Sequence, residues 1–193
     1  MPAASNAPRI EVRSRADLRD WLSRWHANAP SHWLVTFKKS SPHHLPYPQI
    51  VEELLCWGWV DGLPRALDGE RTMLLISQRK ETSAWSAVNK AHVARAQASG
   101  AMTPAGEAKI SAAKANGMWH FLDDVEALIV PNDLAAAFAA HPPARTHWDA
   151  FPKSVRRGIL EWIKTAKRAE TREKRILDTA LKAREDRRAN QFR

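Results

Sequence analysis

Everything strand-like in this chain lies in its first eighty residues, and two strand-like runs meet at the pair Asp68-Gly69. Asp-Gly between alternating runs is a strong hairpin turn signal. On the near side, Trp59 to Leu67 reads as a strand with Trp59, Asp61 and Leu63 on one face. On the far side, Arg71 to Ser77 carries Thr72, Leu74 and Ile76 on one face and Met73 and Leu75 on the other. Apolar residues on both faces predict a central place in the sheet.

Two further runs extend the sheet. Ile10 to Val12 is a short strand, and His32 to Lys38 alternates with Trp33, Val35 and Phe37 on one face. Between them, Ser14 followed by Asp17 reads as a capping box, and Leu18, Trp21, Leu22 and Trp25 form the stripe of an amphipathic helix. Ser40 to Pro48 is a loop, Pro48 opens a helix striped by Ile50, Val51, Leu54 and Leu55, and Gly58 ends it. After residue 80 the chain reads as helix throughout. Ser86 caps one helix and Thr103-Pro104 starts the next. Others hold Leu134 and Phe138, Trp148, Ile159 and Trp162 (capped at Ser154), and Ile176 and Leu181. Strands first and helices after predict an α+β fold: a small, mostly antiparallel sheet of three to four strands packed by helices, then an all-helical C-terminal module. The expected division is residues 1–120, an α/β domain holding a Trp-Gly-Trp signature, and residues 131–190, a basic helical module.

Charge divides the same way. Up to Pro152 there are 16 basic and 15 acidic side chains, a net +1; from Lys153 onward there are 14 and 6, a net +8. Lys164, Lys167, Arg168, Arg172 and Arg175 recur at helical spacing, a stripe that would suit nucleic acid or another anionic surface, or would simply solvate a helix. Cys56 is the only cysteine, so no internal disulfide forms. No run approaches the ~18 apolar residues of a membrane span, Met1 to Arg15 lacks a secretory apolar core, and the expected location is the cytoplasm. Phosphate-loop, zinc-protease, nucleophile-elbow and dinucleotide motifs are missing, so neither a cofactor nor a metal is expected, and a binding module is favoured over an enzyme.

The stretch from Val51 to Gly62, with Cys56-Trp57-Gly58-Trp59-Val60-Asp61-Gly62 at its heart, resembles the signature of the YdeI/OmpD-associated (bacteriocin-protection) family. Lys38 to Ser41 and Tyr47 match the family segment before it. Arg79-Lys80, Ser83, Trp85-Ser86 and Val88-Asn89-Lys90 match its next motif, and Met102 to Gly106 its helix start. Ala166 to Arg172 matches a C-terminal stretch, with Ala169 where the family has proline; that change lets two helices run together. The resemblance implies a role in resistance to bacteriocins and cationic peptides, and association with an outer-membrane porin. The family's likeness to small α/β proteins of the YdhG type implies a ligand groove beside the sheet.

The residues that could form such a site are Tyr47, Trp57, Trp59, Asp61, Arg79, Trp85, Ser86 and Asn89. Trp59 and Asp61 share a strand face, and Arg79 lies just past the partner strand, where it could clamp an anion or pair with Asp61. Trp85 and Ser86 precede a helix N-terminus that favours anions. The expected partner is a small or anionic ligand, with Asp61 as the one acid or base if a reaction occurs. The competing reading makes Asp61–Arg79 a structural pair, Ser86 a plain cap and the tryptophans core.

Overall fold

The computed structural model describes residues 6–190. It divides into two compact units, Met1–Phe121 and Leu122–Arg193.

In the first unit, β1 (Arg9–Glu11), β2 (His32–Phe37), β3 (Trp59–Ala66) and β4 (Arg71–Gln78) form one mixed sheet in the order β1-β2-β4-β3. β1 runs parallel to β2; the other pairings are antiparallel. The expected α+β architecture is therefore present, with β4 central as its two apolar faces require. The Asp68 carboxylate holds the hairpin by accepting the backbone N–H groups of Glu70 and Arg71 at 2.9 and 2.7 Å.

Two helices cover one face of this sheet. α1 (Arg15–Trp25) starts on the Ser14 hydroxyl, which accepts the Asp17 N–H at 3.1 Å. α2 (Tyr47–Cys56) starts one residue before Pro48. Leu18 and Leu22 of α1 and Ile50 and Leu54 of α2 pack on Leu34, Trp59, Leu74 and Ile76, all buried. A second cluster forms where Val51 and Leu55, on another side of α2, meet α3 (Ala87–Ala98) and α4 (Pro104–Ala115) around Trp85, Val93 and Ile110. Here Gly106 permits close approach of α4 to the end of α2. A Cβ at that position would lie 2.5 Å from the Cys56 carbonyl and 2.8 Å from that of Leu55.

The strand pairing corrects one detail. Trp59 faces Gln78 and Asp61 faces Ile76, so those two share a face, but the register shifts between Asp61 and Pro64. Leu63 falls in that bulge and is exposed, not aligned with Trp59.

The second unit is helical: α5 (Asp123–Glu126), α6 (Asn132–Ala140), α7 (Ala144–Ala150), α8 (Lys153–Lys164) and α9 (Ala169–Arg184). Its core holds Leu134, Phe138, Trp148, Ile159, Leu160 and Ile163. Two expectations change here. α8 follows Pro152, so Ser154 lies inside the first turn and does not cap it. α8 and α9 stay separate despite Ala169. The Thr165 hydroxyl donates to the Glu161 carbonyl at 2.8 Å, and Arg168 is extended at φ −116° and ψ 142°. No helix among the described residues is long and apolar enough to cross a membrane.

Candidate functional site

The structure separates the eight residues proposed from the sequence into three places. Tyr47 and Asp61 meet: the phenol donates to Asp61 Oδ2 at 2.5 Å, joining the first residue of α2 to the edge strand β3. Burial, followed by that hydrogen bond and the Asp61 charge, pushes the Tyr47 hydroxyl up to about 12.

Trp59 and Trp57 lie elsewhere. Trp59 is wholly buried against α1; its indole N–H donates to the His26 carbonyl at 3.0 Å and its ring meets Trp21 edge-on. Trp57, at the end of α2, donates to Glu53 Oε1 at 3.1 Å. Glu53 is itself buried and receives Arg15 and Arg19, each at 2.8 Å. Adjacent Glu52 gathers Arg15 and Arg95, both at 3.1 Å, and His92 at 3.4 Å. This charged network ties α1 and α3 to α2. Among the described residues its carboxylates are fully partnered, which marks it as structural.

Arg79, Trp85, Ser86 and Asn89 form the third place. The Arg79 guanidinium stacks 3.8 Å from the Trp85 ring centre and donates to the Ala84 carbonyl, while Trp85 packs on Trp119. Ser86 caps α3 by accepting the Asn89 N–H at 3.2 Å. Arg79 is buried, and among the described residues no ion pair joins it to Asp61. Its Nε and Nη1 lack hydrogen-bond partners there. Burial lowers its pKa to about 10, partly offset by the Asp61 charge. An open hollow shared by Trp59, Asp61, Arg79 and Trp85 is therefore not what the chain forms. A wide indole is worth more buried than exposed, and both are buried, Trp59 on the covered face of the sheet and Trp85 in the separate cluster with α2, α3 and α4.

What does open beside the sheet is a cleft of about 470 Å3, built on Tyr47. Its floor comes from the helix-covered face of the sheet: Thr36 of β2, Thr72 and Leu74 of β4, and Gly62 and Pro64 at the β3 bulge. Leu45, Tyr47 and Ile50 supply the wall on the α2 side, and Lys38, Lys39 and His44 belong to the connecting loop. The bulge bends β3 here, and α2 begins only at Tyr47, so neither element fills the space. Lys38 is fixed by donating to the Asp68 and Gly69 carbonyls at 2.8 and 3.0 Å. The His44 ring is held by Nδ1 donating to the Phe37 carbonyl at 2.9 Å, which leaves Nε2 its remaining polar atom. Such a space lies within the roughly 300–1,000 Å3 of small-molecule sites. Of its lining, Tyr47 alone is among the site residues that the sequence points to. The others are ordinary residues brought together from distant segments.

The basic stripe of the second unit is largely committed to holding its own helices. Lys164 pairs with Asp124 at 2.5 Å, Arg172 grips Asp133 through two bonds of 2.8 and 3.0 Å, and Arg175 stacks on Trp162 and donates to its carbonyl. Lys167 and Arg168 are exposed in the α8–α9 connection. A wider, more open groove of about 660 Å3 runs along α8 beside Trp162 and Gly158. Arg157 in its lining is occupied by Glu126 at 2.8 Å and Glu161 at 2.7 Å. Cys56 is wholly buried, and burial pushes its thiol up to about 11, away from nucleophile chemistry. No group of three or more metal-ligating side chains is assembled among the described residues.

Comparison with known proteins divides the chain similarly. Residues 10–109, holding the sheet and the cleft, match the model of a domain of unknown function (DUF8412). Residues 127–186 match the model described as Bacteriocin-protection, YdeI or OmpD-Associated. No curated protein and no solved structure matches. With half its length in the first match, the chain belongs to the DUF8412 family, and residues 127–186 of its helical unit are similar to the bacteriocin-protection, YdeI or OmpD-associated model.

Proposed function

We propose that this protein is a non-enzymatic protection module that binds a small, largely apolar ligand in the cleft between α2 and the sheet, and that this binding serves resistance to bacteriocins or cationic peptides. The observation that carries the reading is the cleft: about 470 Å3 of mostly apolar lining on a hydrogen-bonded sheet, with the Tyr47–Asp61 hydrogen bond at its border. The description of the matched helical family supports the protective role.

The binding reading is favoured over catalysis by the state of Asp61. Its carboxylate is occupied by the Tyr47 hydroxyl, and that phenol is a weak acid with a pKa near 12. It is favoured over nucleic-acid binding because Lys164, Arg172 and Arg175 are consumed by internal contacts.

Thermal-shift screening of the wild type against Thr72→Phe tests the reading. Phe suits a strand and fills the cleft floor. Small apolar compounds should raise the melting temperature of the wild type and leave the variant unmoved. Cells carrying the wild type should survive a bacteriocin challenge that kills cells carrying the variant. Compounds that stabilise both proteins equally, or equal survival, would refute the proposal.

A further inference from the structure

Resting on the cleft just proposed as a binding site, we infer that its ligand is a free single-chain amphiphile with one anionic headgroup, a fatty carboxylate or its like. The charge of the lining points there. The residues around the cleft include Lys38, Lys39 and His44 and no Asp or Glu. Asp61, the neighbouring acid, is turned to the Tyr47 hydroxyl. The three basic side chains all belong to the short segment between β2 and α2, while Ile50, Leu74 and Pro64 supply apolar surface beyond them. The basic groups of the lining thus come from one segment and its apolar surface from the others.

Two of those groups are already positioned. Lys38 spends two of its three N–H donors on the hairpin carbonyls and keeps one. His44 is anchored through Nδ1, which leaves Nε2 as the ring atom able to meet a polar headgroup. Lys39 is exposed and makes no ion pair among the described residues. A cationic ligand would meet like charge from Lys38 and Lys39, so direct capture of a cationic peptide here is disfavoured.

Calorimetric titration with decanoate, decanol and decyltrimethylammonium, each below its micelle-forming concentration, separates the headgroup from the chain. Decanoate should bind about tenfold more tightly than decanol, the scale of one charge-assisted contact. Decyltrimethylammonium should bind most weakly. The preference for decanoate over decanol should shrink in high salt and in the Lys39→Gln, His44→Gln double variant. Equal binding of all three would overturn the headgroup assignment and leave the apolar cleft standing. Tightest binding of the cation would overturn the assignment too. Binding of none would remove both this inference and the proposed function. Phosphatidylglycerol vesicles offer the same charge and chains within a bilayer, and retention on them without binding of free decanoate would contradict a free ligand.

Discussion

Tyr47 is the sole tyrosine of the chain, so its ionisation can be followed without interference from any other phenol. Alkaline titration of the folded protein should give a tyrosinate absorbance midpoint near 12 instead of the ordinary 10. At about pH 11 an ordinary phenol is roughly nine-tenths ionised, whereas one with this displacement is roughly one-tenth ionised, a difference of about ninefold in signal. Two causes separate in Asp61→Asn. That change keeps an oxygen acceptor for the phenol and removes the negative charge, so the midpoint should fall part of the way towards 10. Burial, the largest cause, should hold it above the ordinary value. The neutral phenol is favoured in the folded state, so stabilisation from this contact is complete below the unfolded pKa near 10 and is lost as pH rises through about 12. Far-UV circular dichroism recorded alongside ensures that the titration is that of folded protein. A wild-type midpoint at 10 with the fold intact, or a midpoint that Asp61→Asn leaves in place, would refute the Tyr47–Asp61 contact that borders the cleft.

Two other expectations concern what holds the sheet unit together. Glu53→Ala strips the carboxylate from Arg15, Arg19 and the Trp57 indole; because both arginines are partly exposed and can rehydrate, the loss should be about 3 kcal/mol by urea unfolding, at the lower end for a broken buried pair. Gly106→Ala places a methyl against two carbonyls of α2 that cannot yield singly, so thermal unfolding should show a loss of about 2 kcal/mol or more.

The sequence was most informative where a local rule decided the structure. The Asp68-Gly69 turn, the Ser14, Ser86 and Thr103 caps and the two-faced β4 all follow from chemistry within a few residues. The site was harder because its logic is tertiary. Period two correctly places Trp59 and Asp61 on one face, but it does not say that α1 covers that face at Trp59 and stops short of Asp61. Nor does it reveal the bulge that turns Leu63 outward and keeps the cleft open at Gly62 and Pro64. Spacing alone made Lys164, Arg172 and Arg175 a basic stripe; the acids that consume two of them, Asp124 and Asp133, lie about forty residues upstream. Thr36, Leu45, Ile50 and Thr72 carry no signal of their own, and only the folding of β2, α2 and β4 around one space makes them a site.

Isoleucine methyl NMR reads the position of the ligand directly, because Ile50 lines the cleft while Ile110 lies in the separate cluster around Trp85. Titration with decanoate should shift the Ile50 δ1-methyl resonance and leave that of Ile110 in place. Movement of Ile110 with Ile50 unchanged would put the ligand at Arg79 and Trp85 and contradict the account.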